Sequence, residues 1–161
     1  MKKRMFFENS RLLNTNFGIV PLMYGSLGLE YITNENLNAD DIDVLIPSVY
    51  LTERWKEFQV VLDKEGYRLV DKAEHTFEKE GISISYAAID GLESFAQIPL
   101  SEIEQITIDH ISFKVLSLSQ YLNVYRASIK DGYRIHVRQK KDSEKIKFIE
   151  MHLENQKNHG M

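Results

Sequence analysis

The sequence contains no cysteine, which excludes several kinds of chemistry before any motif is considered. Without cysteine there is no disulfide, no thiol nucleophile, no zinc–thiolate site and no iron–sulfur cluster. Proline is also scarce, with three widely spaced residues, so no proline-rich linker marks a domain boundary. No apolar run approaches the roughly 18–20 residues of a bilayer-spanning helix, and polar residues 8–11 interrupt any signal-peptide core. We therefore expect a cytoplasmic protein without membrane contact.

What is present is typical of a globular domain. The chain has 161 residues and a mass of 18.8 kDa, with 43% apolar and 27% charged residues. This size is about that of one domain, and the composition is not that of a disordered chain. The sequence predicts a single domain over 1–161, with a mixed-sheet core in 1–116 and C-terminal helices in 117–161.

The charge is distributed unevenly. The formal net charge is −4, yet residues 30–109 hold 18 acidic and 6 basic side chains, whereas 114–147 hold 3 acidic and 9 basic ones. An acidic middle and a basic C-terminal part are suited to binding a metal and a phosphate group, respectively. Charged faces that are merely solvated explain the same counts, and composition alone does not decide between the two.

Hydrophobic periodicity predicts an α+β fold with a mixed sheet and a helical C-terminal part. A first helix over 6–16 should end at Gly18, and Thr52 should cap a second helix that ends at Gly66. A capping box formed by Ser117 and Gln120 predicts a helix that ends near Gly132, and Asp142 is expected to cap the last helix. Strands are predicted at 19–24, 44–46, 67–72, 76–80, 82–89, 106–108 and 111–115.

The motif with the most chemical content joins two of these strands. Gly25 and Ser26 end the first strand, and a glycine there lets backbone amides approach an anion closely. Asp41 and Asp43 precede the second strand, and their i, i+2 spacing in extended backbone directs both carboxylates to one face. Two carboxylates on one face are a site suited to Mg²⁺, which also takes oxygen ligands from phosphates. The alternative is a plain turn followed by solvated acids.

This order of strand, Gly-Ser, spacer, Asp-x-Asp and apolar strand resembles the nucleotidyltransferase superfamily, in particular its small bacterial and toxin-type members. The resemblance implies a nucleotidyltransferase-like mixed sheet flanked by helices. It also implies that Gly25 and Ser26 hold the triphosphate of an NTP, and that Asp41 and Asp43 bind the catalytic Mg²⁺.

A second, looser likeness lies in the C-terminal part. The segment 113–122, followed by 138–146, is similar to the helical part of the small bacterial members, where a helix often carries a lysine. Tyr125 and Arg126 stand at that position here. The resemblance implies that Arg126 or Arg138 contacts the phosphates, although a guanidinium differs from an ammonium group in geometry.

The chain departs from the family at the third metal carboxylate, which active members carry on a later central strand. Ser83 and Ser85 stand where an acid is expected. Asp90, at the end of that strand, is the candidate third ligand and catalytic residue, with Glu93 just beyond it.

The resemblance thus implies Mg²⁺-dependent transfer of a nucleoside monophosphate from an NTP to an acceptor hydroxyl on a small molecule or an RNA. The gap at the third carboxylate keeps a second hypothesis open, in which an inactive protein of the same fold binds a nucleotide, a protein or an RNA. The acceptor, the preferred base and the oligomeric state do not follow from the sequence.

Overall fold

A computed structural model describes the backbone of residues 1–130 and 137–159 and the side chains of 1–130 and 141–158. The described chain forms two compact units. The first, here called the sheet unit, comprises Met1–Asp90 and Glu104–Val115. The second, here called the helical unit, comprises Gly91–Ile103 and Leu116–Met161. The structure therefore assigns 91–103, which lies within the predicted sheet core, to the helical unit.

The sheet unit is built on one mixed sheet of seven strands in the order β3-β4-β5-β2-β1-β7-β6. The pairs β1–β7 and β2–β5 are parallel, and the other neighbouring strands are antiparallel. The predicted α+β class with a mixed sheet is confirmed. The strands are β1 (Leu22–Tyr24), β2 (Ile42–Ile46), β3 (Arg68–Asp71), β4 (Thr76–Lys79), β5 (Ile82–Ala88), β6 (Glu104–Ile108) and β7 (Ile111–Val115).

Three helices belong to the sheet unit: α1 (Lys2–Phe17), α2 (Gly25–Thr33) and α3 (Trp55–Lys64). Helix α1 ends at Gly18 as predicted, with φ of 67° at the glycine. The strands alternate, so Val44, Ile84 and Phe113 enter the core while their sequence neighbours face the other side of the sheet. The same core contains Phe6 of α1 and Phe58 of α3, both fully buried.

A buried polar contact also joins α1 to the sheet. Asn9, which is fully buried, donates a hydrogen bond from Nδ2 to the Tyr86 hydroxyl at 2.6 Å. Burial raises the pKa of the Tyr86 hydroxyl well above its usual value of 10.0, because the phenolate would lose its hydration. Burial likewise raises the pKa of Tyr67, which lies close enough to Asn9 and Tyr86 to interact with both.

The helical unit contains α4 (Leu92–Ala96), α5 (Leu118–Lys130) and α6 (Val137–His159). The predicted capping box opens α5: the Gln120 backbone N–H donates to Ser117 Oγ at 3.1 Å, and the Ser117 backbone N–H donates to Gln120 Oε1 at 2.9 Å. The predicted end near Gly132 lies outside the described residues. Among the described residues of this unit, the buried apolar side chains are Leu92, Ala96, Ile98, Ile103, Leu116, Leu118, Tyr121, Leu122, Val124, Tyr125 and Ile149.

Two predicted helix caps are wrong. Thr52 lies before α3, but its hydroxyl donates to the Ser48 carbonyl at 3.0 Å instead of accepting from the helix. Asp142 lies inside α6 rather than at its start. It is 4% exposed and accepts a hydrogen bond from the Ser128 hydroxyl at 2.8 Å, so it joins α6 to α5.

No helix in the described ranges is both long enough and apolar enough to cross a bilayer.

Candidate active site

The Gly-Ser motif opens a helix that sequence reasoning missed. Strand β1 ends at Tyr24, and α2 begins at once with Gly25 and Ser26. The amide N–H groups of a first helical turn have no acceptors within the helix, so they form a positively polarised end suited to phosphate oxygens. Gly25 and Ser26 thus stand at the start of a helix and not in a strand-end turn.

Asp43 lies directly beside this helix end. Tyr24 and Asp43 are paired in the antiparallel β1–β2 ladder. A Cβ atom on Gly25 would lie 2.7 Å from Asp43 Oδ2, closer than Cβ atoms approach other heavy atoms in proteins. Gly25 also has φ of 65°, which disfavours residues with a side chain. Only glycine at this position allows the Asp43 carboxylate to reach the start of α2.

Asp41 lies just before β2, in the bend that leads into the strand, and is exposed. Asp43 is half-buried and is held by pairing on both sides, with Tyr24 of β1 and Ser85 of β5. Strand alternation directs Asp43 away from the core face that contains Ile42 and Val44. The two predicted metal-binding residues are therefore held differently, Asp43 by the sheet and Asp41 by the loop before it.

The neighbour of Asp43 on β5 is a serine and not an acid. Ser85 is the β5 partner of Asp43 in the parallel ladder and therefore lies on the same face of the sheet. Its hydroxyl forms a hydrogen bond of 2.7 Å with the Thr76 hydroxyl of β4. Within the described part of the chain, no three Asp, Glu or His side chains are grouped closely enough to hold a metal ion.

The structure separates Asp90 from this site. Asp90 Oδ1 accepts a hydrogen bond of 2.7 Å from the Ser48 N–H, beyond the carboxyl end of β2. Asp43 lies near the other end of that strand, and the strand alone rises about 10 Å from Asp43 to Ile46 at roughly 3.3 Å per residue. This placement corrects the expectation that Asp90 supplies the third ligand. Glu93, the other candidate, belongs to α4 of the helical unit.

The predicted phosphate contacts lie in the helical unit. Arg126 is half-exposed on α5 and forms a loose ion pair with Glu150 of α6 at 3.9 Å. With Asn123 and Lys130, at helical spacing, it lines a groove of about 580 Å³ between α4 and α5. Arg138 is in α6, and its side chain is outside the described residues.

Glu30 is a further residue of this region that sequence reasoning missed. It lies on α2, is 8% exposed, and accepts hydrogen bonds at one oxygen, Oε1, from the N–H groups of Leu37 at 2.9 Å and Ala39 at 3.0 Å. A signal was available in the sequence, because Glu30 is an acid within the otherwise apolar and small run 27–32. An acid in such a setting needs a specific partner.

Comparison with solved structures identifies the fold. The antibiotic-resistance factor ANT(2'')-Ia, in complex with adenylyl-2''-tobramycin, matches 95% of this chain and 90% of its own at 13% identity, with a TM-score of 0.58. An antigenic nucleotidyltransferase-like protein from Paracoccidioides brasiliensis matches 91% of this chain and 74% of its own at 13% identity, with a TM-score of 0.60. The lincomycin-bound lincosamide adenylyltransferase LnuA matches 92% and 98% at 14% identity, with a TM-score of 0.55. The chain has the nucleotidyltransferase fold.

Comparison with known sequences then gives the family. The uncharacterized protein YnaI of Bacillus subtilis (strain 168) is 34% identical over 150 residues, which are 93% of this chain and 96% of YnaI. The chain belongs to the same family as YnaI. No family model matches the sequence.

Proposed function

We propose that the protein is a nucleotidyltransferase that uses Mg²⁺ to transfer a nucleoside monophosphate from an NTP to an acceptor hydroxyl. The observation that carries the proposal is the contact between Gly25 and Asp43, which brings a carboxylate to the positively polarised start of α2. Phosphate oxygens and a divalent cation bind adjacent to one another in an NTP complex, so a site for them needs both features side by side.

The residues present fit a metal site in part. Asp43 and Asp41 would supply hard oxygen ligands of the kind that Mg²⁺ takes, and phosphate oxygens and water would complete the shell. When bound, Mg²⁺ neutralises charge on the phosphates and polarises the phosphorus that is attacked. Ser26 and the first N–H groups of α2 would hold the phosphates of the NTP.

The reaction is a displacement at the α-phosphorus. The acceptor hydroxyl oxygen forms a bond to this phosphorus, the bond to the oxygen that bridges to the β-phosphate breaks, and pyrophosphate leaves while the hydroxyl proton is lost to solvent. ANT(2'')-Ia with adenylyl-2''-tobramycin and lincomycin-bound LnuA support a small molecule with a hydroxyl group as the acceptor. Arg126 and Arg138 remain the predicted phosphate contacts.

Calorimetric titration with each of the four NTPs, with and without Mg²⁺, tests the proposal. We expect Mg²⁺-dependent binding to wild type that falls at least tenfold in Asp43→Asn. Asp63→Asn, which removes an exposed carboxylate at the end of α3, is the matched control and should bind like wild type. Full binding and turnover by a folded Asp43→Asn protein would contradict the assignment.

A second function is favoured by one specific observation, the pairing of Asp43 with Ser85 instead of an acid. In this alternative, the chain binds a nucleotide, a protein or an RNA and catalyses no transfer reaction. It predicts Mg²⁺-NTP binding without release of pyrophosphate for any hydroxyl acceptor, or no binding at all. If the partner is an RNA, its affinity should fall steeply with salt and should not change in Asp43→Asn.

A further inference from the structure

The loop that delivers Asp41 is attached to α2 through one side chain. Helix α2 ends at Thr33, and β2 does not begin until Ile42. Two asparagines of this loop, Asn34 and Asn38, have positive φ, of 58° and 53°, so the backbone turns sharply twice. The N–H groups of Leu37 and Ala39 both donate to Glu30 Oε1.

The burial of Glu30 makes this attachment specific. A carboxylate that is 8% exposed loses most of its hydration and needs hydrogen-bond donors in its place. Two N–H groups at 2.9 and 3.0 Å supply them, and hydrogen bonds to an ionised acceptor are stronger than neutral ones. Ala39 is itself buried, at 6% exposed, in the core of the sheet unit, so the loop is fixed on both sides of Asn38.

The two aspartates depend on this attachment to different extents. Asp43 is in β2 and is paired with Tyr24 and Ser85, so the ladder fixes its position. Asp41 precedes the strand and follows Ala39 by two residues, so the loop fixes its position. Glu30 therefore acts mainly on Asp41.

We propose that Glu30 is a positioning residue that fixes Asp41 relative to the phosphate-binding start of its own helix, α2. The inference rests on the proposed function, because it concerns the carboxylates that bind the metal–nucleotide complex. A single rigid helix then presents phosphate donors at its first turn and, through Glu30 in its second turn, holds the loop that supplies a metal ligand.

The first test measures Mg²⁺-NTP affinity by calorimetry in matched variants. Glu30→Ala should weaken binding about tenfold, since loss of a residue that orients a metal ligand typically costs 10–100-fold in affinity. Glu30→Gln keeps an oxygen that accepts both N–H groups and should bind within about threefold of wild type. Glu35→Ala removes an exposed acid from the same loop and should bind like wild type.

A double-mutant cycle separates positioning from a merely structural role. Combined with Asp41→Asn, Glu30→Ala should weaken binding no further, because the ligand that it positions is already removed. In combination with Asp43→Asn, the loss of affinity caused by Glu30→Ala should add to the loss caused by Asp43→Asn. A folded Glu30→Ala protein with wild-type affinity, or equal additivity with both aspartates, would overturn the inference.

A measurement without nucleotide keeps this inference separate from the proposed function. In ¹⁵N NMR spectra, Glu30→Ala should shift the Asp41 amide signal and abolish exchange protection at Leu37 and Ala39, while the Asp43 signal stays in place. Glu30→Gln should keep both the wild-type Asp41 signal and the exchange protection at Leu37 and Ala39. If wild type binds no NTP, the proposed function fails. An unmoved Asp41 signal in Glu30→Ala refutes the positioning role by itself.

Discussion

Two independent constraints disfavour any residue other than glycine at position 25. The φ of 65° at Gly25 disfavours an L-residue by about 1–2 kcal/mol, and its missing Cβ leaves the space that the Asp43 carboxylate fills. Gly18 shares the first constraint, with φ of 67°, but has no atom within 4 Å of the Cβ position. Substitution of Gly18 therefore tests the effect of backbone strain alone, whereas substitution of Gly25 tests backbone strain together with the loss of space for Asp43.

We predict that Gly25→Ala and Gly18→Ala both lower the free energy of unfolding, by about 1–2 kcal/mol each for the left-handed conformation. Only Gly25→Ala should also lose Mg²⁺-dependent NTP binding, by at least tenfold, because the new methyl group displaces the Asp43 carboxylate. Urea denaturation and calorimetry measure the two quantities. Equal nucleotide affinities in the two variants would show that the contact has no part in binding.

Ser85 gives a prediction in the opposite direction. Ser85→Asp places a carboxylate beside Asp43 on the same face of the sheet, at the cost of the hydrogen bond to Thr76. We expect Mg²⁺ affinity to rise at least tenfold, because a third hard oxygen ligand joins the site. Ser119→Asp, an exposed position on α5, adds the same charge elsewhere and should leave affinity unchanged. Titration with Mg²⁺ alone decides the matter.

At the scale of elements, alternating strands and helix-ending signals could be predicted from the sequence, and α2 could not. Gly25 and Ser26 followed by Gly28 are poor helix formers, and their pattern is equally that of a loop. The helix forms because its apolar residues, such as Leu27 and Leu29, are buried, which is a property of the tertiary structure.

The aspartates that the sequence analysis names divide in the same way. Asp41 and Asp43 could be proposed as metal ligands because both stand in one short motif. The positions of Asp90 and Asp142 could not be predicted, because each depends on a partner distant in the sequence. Asp90 accepts from Ser48, 42 residues away, and Asp142 accepts from Ser128 on the preceding helix. Rules based on neighbouring residues in the sequence do not predict either contact.

The attachment of α1 to β5 gives a prediction about pH. Because burial raises the pKa of Tyr86 above its value of 10.0 in the unfolded chain, the unfolded state loses this proton first. The stabilising contribution of Tyr86 is therefore complete below pH 10 and declines as the pH rises above it. Urea denaturation between pH 8 and pH 11 should show stability falling at the alkaline end.

Tyr86→Phe tests the source of that decline. At pH 8 the variant should lose about 1–3 kcal/mol, because the buried Asn9 amide loses its acceptor. Above pH 10 its stability should fall less steeply than that of wild type. Some slope should remain, because burial also raises the pKa of Tyr67. Parallel curves for the two proteins would assign the alkaline loss to other groups.

At the scale of the whole molecule, the helical unit is discontinuous in sequence, since 91–103 joins residues that follow 115. A fragment that ends at Leu116 keeps strands β1–β7 and helix α4 but loses α5 and α6, which belong to the unit that buries Leu92 and Ile98. We predict that fragment 1–116 binds the dye ANS and aggregates. Replacing residues 91–103 of this fragment with a Gly-Ser linker of equal length should reduce both ANS binding and aggregation. If the replacement changes neither, the explanation is wrong.

The strand order also has a consequence for the nascent chain. Strand β1, which leads into the Gly-Ser motif, has β2 on one side and β7 on the other, with Leu22 paired to Lys114 and Met23 to Val115. At roughly 5–20 residues per second, about 5–20 s of translation separate Tyr24 from Val115. During this interval β1 is an open sheet edge, which other chains can pair with. A ribosome stalled before Ile111 would therefore leave β1, the strand that leads into the Gly-Ser motif, without its β7 partner.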